Sequence, residues 1–148
     1  EDVYSFSQKP PKPINQNQLI KRDTVVTRSG ERYHCYVAIN PTSYKVTKST
    51  YNDDGVEVDN IFYDNIIHIS VFNDAKQVYS RDFNKKMFTG KVPESFLKQA
   101  ILSDMQFSGI DGTGVHYDAI ICIPDGASNY IINISIGYNG SMKMDVSR

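Results

Sequence analysis

The sequence predicts a mainly β protein, an antiparallel β-sandwich or a strongly curved open barrel with one short helix packed on the sheet. Three observations carry this. After Ile20 apolar residues recur at every second position through most of the chain, the period of a half-buried strand. The alternating stretches are separated by Gly, Asn and Asp clusters, which supply turn chemistry. The alternation breaks only at "VPESFLKQAILS". A chain of 148 residues suits one core, so residues 19–148 are expected to form a single β-rich domain.

The opening "EDVYSFSQKPPKPINQNQ" offers little to bury, and its prolines favour extended backbone, so residues 1–18 are expected to act as a flexible Pro/Gln/Asn-rich tether. The missing initiator Met leads to the expectation of a processed chain. "DTVVTRSGERYHCYVAIN" reads as a hairpin turning near Ser29-Gly30, with Tyr33, Cys35, Val37 and Ile39 on one face and His34, Tyr36 and Ala38 on the other. Asp53-Asp54-Gly55 is turn chemistry. "NIIHISVF" is apolar on both faces and is expected to be a central strand covered on both sides. "NDAK" then turns the chain into "QVYSRDF".

A helix is expected over Pro93 to Ser103, because Phe96, Leu97, Ala100 and Ile101 share one side and Pro93 suits the first helical position. Strands resume with "MQFSGI", "VHYDAIICI", "NYIINISIGY" and "SMKMDV". They are joined by "DGTG", "PDGAS" and an Asn139-Gly140 turn in which both central residues are expected at positive φ. Tyr130, Ile132, Ile134, Ile136 and Tyr138 line one face of this closing meander. Ile131, Asn133, Ser135 and Gly137 line a wetter one. Hairpins on either side of the helix hint at duplication, but no fixed repeat period is present.

A formal net charge of −1 disfavours nucleic acid as a partner, and no apolar run approaches the roughly 20 residues of a transmembrane span. Cys35 and Cys122 lie on separate strands, either as two independent buried thiols or as a disulfide across the core. In "YHCY" strand alternation turns His34 away from Cys35, which removes that dyad. In "HYDAIIC" His116, Asp118 and Cys122 share a face, but about 20 Å separates His116 from Cys122. His116 and Asp118 are therefore the candidate binding pair, able to form an oriented base or half a metal site with a third group from another strand. His34, His68 and His116 lack close ligand spacing, "NDDGVEVD" lacks the pattern of a calcium loop, and "GIDGTG" is followed by a strand rather than a helix. No catalytic residue, metal or cofactor is assigned. Lys85, Lys86 and Lys91 in "DFNKKMFTGK" are a candidate docking patch or a solvated connection. Ten tyrosines supply sheet and core material, and the absence of tryptophan argues against a sugar-binding groove.

The segments "IHISVFNDAKQVYSRDFNKKMF", "VPESFLKQAILSDMQFSGID" and "YDAIICIPDGASNYIINISIGYNG" resemble an uncharacterised family of secreted Bacteroidetes proteins, domain of unknown function 4738. The resemblance implies a signal-bearing precursor, often a lipoprotein with its lipid-attachment cysteine upstream of Glu1, exported to the periplasm or cell surface. It transfers no functional residues. The functional expectation is an exported, non-catalytic binding or structural module of the bacterial envelope, its partner an envelope protein or small ligand. The alternative is an envelope hydrolase with a site assembled across strands near His116 and Asp118. A deep cleft holding a His bonded to a carboxylate beside a Ser or Cys favours the hydrolase, and a shallow loop-rimmed surface favours binding.

Overall fold

The computed structural model of the chain describes residues 19–124 and 128–147. The expected tether and the centre of the "PDGAS" turn lie outside the described residues. Two four-stranded antiparallel sheets are present, each a simple meander. The first runs β1 (Ile20–Arg28), β2 (Glu31–Tyr51), β3 (Glu57–Asn73) and β4 (Lys76–Phe83). The second runs β5 (Ile101–Asp111), β6 (Gly114–Cys122), β7 (Asn129–Ile136) and β8 (Met142–Val146). A 3₁₀ turn (Lys85–Phe88) and one α-helix, α1 (Glu94–Gln99), connect the sheets. The architecture is a β-sandwich.

Alternation explains the core. Tyr33, Cys35, Val37 and Ile39 of β2 and Ile67, Ile69 and Val71 of β3 turn inward. They meet Val115, Tyr117, Ala119 and Ile121 of β6 and Ile132, Ile134 and Ile136 of β7, all buried. β3 is central, but only one of its faces is fully covered. Ile66, His68, Ser70 and Phe72 are half-buried on the outside, a correction to the expectation of cover on both sides. Burial of the other row leaves room for polar side chains on this outer face. At the far end of the second meander Tyr138 is exposed, and its ring lies 5.6 Å from that of Tyr33.

The hairpin at Ser29-Gly30 is as expected: Arg28 pairs with Glu31, and the two turn residues take φ of 53° and 80°. The Asn139-Gly140 loop differs. Only Gly140 has positive φ (87°), and the loop spans Gly137 to Ser141, with Ser141 N–H donating to Asn139 Oδ1 at 3.0 Å. The Asn side chain closes a longer loop instead of occupying a two-residue turn.

β2 and β3 are longer than the sequence suggests, at 21 and 17 residues. Pro41 does not end β2. The register shifts between Pro41 and Lys45, and there Thr42 donates its hydroxyl to Asp64 O (2.8 Å) and accepts from Tyr44 N–H (3.1 Å). A strand can keep a proline where the ladder is already irregular. Beyond the shift, Lys45↔Tyr63 to Tyr51↔Glu57 continue as a two-stranded ribbon.

The helix is shorter than expected. α1 holds six residues and ends at Ala100, whose φ of −104° and ψ of 165° are extended. Ile101 opens β5 and pairs with Cys122. Leu97 and Ala100 are buried as the helical period requires, but the apolar run that follows belongs to a strand. The 3₁₀ turn buries Phe88 completely.

The sheets are tied through polar bonds to β5. Asp64 falls between the paired residues Tyr63 and Asn65 and has no register partner. Its Oδ1 accepts the N–H of Leu102 at 2.8 Å and that of Asn65 at 2.9 Å. Asn65 Nδ2 donates to Leu102 O at 3.0 Å. From β1, Arg22 pairs with Asp104 at 2.7 Å and donates to Met105 O at 3.1 Å.

Two stability outcomes follow for urea unfolding. Phe88→Ala is expected to cost about 3–5 kcal/mol, as for other fully buried aromatics. Phe96 is only half-buried, and its ring packs edge-on against Tyr130 with centroids 4.7 Å apart, so Phe96→Ala is expected to cost about 1–3 kcal/mol.

Candidate functional site

The sequence-predicted pair sits where alternation places it, on the outer face of β6, with both side chains half-buried. They are not each other's partners. His116 Nε2 lies 2.9 Å from Asp111 Oδ1, across the β5–β6 hairpin, and its Nδ1 lies 2.9 Å from Ser135 Oγ on β7. Asn133 Nδ2 donates to Asp118 Oδ1 and to Tyr117 O, each at 3.3 Å. Those two bonds aim Asn133 Oδ1 at Ser135, which donates to it at 3.0 Å. Hydrogen bonds from Thr113, then from His116, hold the Asp111 carboxyl well below the usual carboxylate range.

A second relay, absent from the sequence reading, occupies the outer face of the first sheet. His68 Nδ1 lies 2.7 Å from Asp82 Oδ1, and Nε2 lies 2.7 Å from Ser70 Oγ and 3.1 Å from Ser80 Oγ. The register shift between Val71 and Phe72 sets His68 opposite Asp82 and Ser70 opposite Ser80, so counting back from the "ND" turn does not reveal the pairing. A hollow of about 260 Å³ adjoins His68, floored by Ala38 and walled by Lys21, Asp23 and Tyr36. His34 lies 3.6 Å from Asp23 on the same face.

Each ladder shifts register beside its relay, between Phe107 and Gly109 opposite His116 and between Val71 and Phe72 next to Ser70. The cysteines add no nucleophile: both thiols are free, and burial pushes Cys35 up to about 11 and raises Cys122 as well. Cys35 points into the core and His34 away from it, so the local dyad is excluded. Among the described residues no three His, Cys, Asp or Glu side chains gather as metal ligands. Among them also, no helix is long and apolar enough to cross a membrane.

A broad concavity lies between the 3₁₀ turn and α1. It measures about 1000 Å³ and is walled by Lys85, Lys86, Lys91 and Lys98 against a single carboxylate, Glu94, with Val92 and Leu97 beneath. The 3₁₀ geometry makes this wall. Thr89 N–H and hydroxyl both bond Lys86 O, and Lys91 and Val92 N–H both bond Phe88 O. With Phe88 as a buried anchor, the loop folds tightly enough to set the lysines around one opening. The sequence patch of Lys85, Lys86 and Lys91 is therefore one side of a cleft. Lys98 joins it from the helix.

Lys85 and Lys86 also wall a second hollow of about 330 Å³ with Tyr44, Asp64, Asn65, Ile66 and Asn84. Lys85 Nζ donates to Ala100 O at 2.9 Å. Burial raises the pKa of Asp64, against the hydrogen bonds of Leu102 and Asn65 and the charge of Lys85, which lower it. Asn65 Oδ1 is buried and has no hydrogen-bond partner, an arrangement that costs about 1–3 kcal/mol.

A family model described as Domain of unknown function (DUF4738) matches residues 1–144. The chain belongs to the DUF4738 family. No curated protein matches the sequence. The match runs through nearly the whole chain, including the opening segment, and brings no assigned activity to the DUF4738 fold.

Asp111 also organises the β5–β6 turn, accepting from Thr113 N–H at 2.8 Å and Gly114 N–H at 3.3 Å. In Asp111→Ala the Thr113 and Gly114 amides are expected to exchange with solvent at least about tenfold faster by NMR, with core amides unchanged. Because the folded pKa of Asp111 is lowered, its contribution is present above the unfolded carboxylate pKa. It is lost as pH falls through the folded value, so the exchange difference should shrink in strong acid.

Proposed function

We propose that this DUF4738 protein is an exported, non-catalytic binding module of the bacterial envelope whose lysine-walled cleft takes a small anionic ligand. The observation that carries the reading is the convergence of four lysines and one glutamate on one concavity, in a chain whose formal net charge is −1. Local positive potential held in a concave, partly apolar wall attracts and orients an anion, whereas the same lysines spread over a convex surface would be screened. Placement at the periplasm or cell surface, with a lipid anchor upstream, is supported by the Pro/Gln/Asn-rich opening and by the resemblance of the strand and turn segments to secreted proteins. Calorimetric titration with tripolyphosphate at low salt tests the cleft. Binding that weakens with added salt and falls at least about tenfold in Lys86→Glu/Lys91→Glu is expected. No binding, or equal binding by the variant, would overturn the reading.

One observation favours the hydrolase alternative: His116 and His68 each bridge a carboxylate and a serine hydroxyl. A screen of ester, phosphoester, peptide and glycoside substrates distinguishes the two readings. Turnover lost in His116→Ala or His68→Ala would establish catalysis on a sheet face. The binding reading expects no turnover from the parent protein.

A further inference from the structure

We infer that the outer face of the first sheet is a self-association surface, on which a second copy of this chain docks about a two-fold axis parallel to the strands. The registers set the side chains of this face in rows across four strands. Lys21, Ala38, His68 and Asp82 form one row, and Asp23, Tyr36, Ser70 and Ser80 form the next. Lys21 and Asp82 are both exposed and stand at opposite edges of the sheet. Three strand spacings of about 4.8 Å hold them about 14 Å apart, too far to pair within one chain. Between Lys21 and His68 the side chain of Ala38 is a single methyl group, and this gap is the hollow of about 260 Å³.

A two-fold axis along the strands lays β1 of one copy over β4 of the other and β2 over β3, so that each row faces its own reverse. In the first row the Lys21 ammonium meets Asp82 of the second copy. The Asp82 side chain bonds His68 through one oxygen and is 70% exposed, which leaves its other oxygen for that ammonium. Each His68 ring projects into the hollow of the other copy, where Ala38 makes room. In the second row the Asp23 carboxylate meets the Ser80 hydroxyl and Tyr36 meets Ser70, so acceptors face donors. In the row beyond, His34 meets Phe72, ring to ring. The order of charges selects a second copy, because a row that runs from positive to negative is complementary to its own reverse. Val25 and Tyr36, 49% and 38% exposed, add apolar surface to the same face. Sheets stacked in this way align to within about 30°, a rotation that the long Lys21 side chain spans. The face is four strands wide, at the low end of interface sizes, so the dimer forms and separates with concentration.

Sedimentation velocity with charge-swapped variants tests this. The parent is expected to pass from monomer to dimer as its concentration rises to about 1 mM, and added salt should weaken the dimer. Lys21→Asp alone and Asp82→Lys alone should each weaken it at least about tenfold, because both copies of the contact become like-charged. The two variants mixed in equal amounts should dimerise as the parent does, since each supplies the charge that the other lacks. The double variant Lys21→Asp/Asp82→Lys should do so by itself. Circular dichroism and thermal melting establish that each variant is folded. A parent that stays monomeric throughout the concentration range would overturn the inference. A folded single variant that dimerises as well as the parent, or a mixture of folded variants that does not recover the dimer, would overturn it too.

Discussion

The two meanders meet at a corner held by Asp64 and Asn65, and the rest of the molecule depends on that contact. Consecutive residues of a strand normally face opposite ways. Here both are buried, because Asp64 steps out of register where β2 shifts after Pro41. The displaced carboxylate accepts two backbone N–H groups, and the neighbouring amide takes the carbonyl of Leu102. One irregularity in the first sheet thereby satisfies the first turn of chain in the second. It fixes where β5 begins, where α1 must end, and so the separation between helix and 3₁₀ turn that opens the lysine-walled cleft. The charge on Asp64 is costly there: with its folded pKa raised, stability associated with its protonation is lost as pH rises. The nearby ammonium of Lys85 offsets part of that cost.

The polar side chains divide into two kinds of surface. Histidine, aspartate and serine lie on the flat outer faces of both sheets, bonded to one another in rows across adjacent strands. Such cross-strand pairing is the ordinary way a wet sheet face satisfies its polar groups. Lysine, by contrast, gathers in the irregular connection, where backbone groups are not committed to a ladder. Recognition more often belongs to irregular connections than to the sheets that carry them. The first kind of surface resembles catalytic machinery in its residue types.

Much of this fold was legible in the sequence, and the reasons are local. Alternation identified the inward rows of β2 and β7, and turn residues located the hairpins at Ser29-Gly30, Asp53-Gly55, Asn73-Asp74 and Asp111-Gly114. Alternation failed where two periods overlap: Phe96, Leu97 and Ala100 obey the helical one, and Ile101 continues it by coincidence while already pairing in a strand. Pro41 stays inside β2, since its missing N–H matters only where a ladder needs it. His116 and Asp118 share the outer face that alternation predicts. The partner of His116, Asp111, comes from the preceding strand, and cross-strand partners depend on register rather than spacing along one strand. Lys85, Lys86 and Lys91 were visible as a run. The cleft was not, because a concavity depends on Phe88 being buried and on the path of a helix whose end the sequence obscures.

The order of strands within each sheet bears on how the chain acquires its structure. Among the described residues every strand pairs only with its neighbour in sequence, and each meander lies within one contiguous stretch. Loop closure for each pairing is therefore short and entropically cheap, unlike the long-range closures that slow Greek-key sandwiches. Each meander can assemble on its own side of the 84–100 connection before the other is present. During synthesis on the ribosome the first sheet emerges whole, with the inward row of Ile67, Ile69 and Val71 uncovered until the second arrives. The interval between those two events is the chain's period of greatest exposure to aggregation, and docking of the second meander at Asp64 ends it.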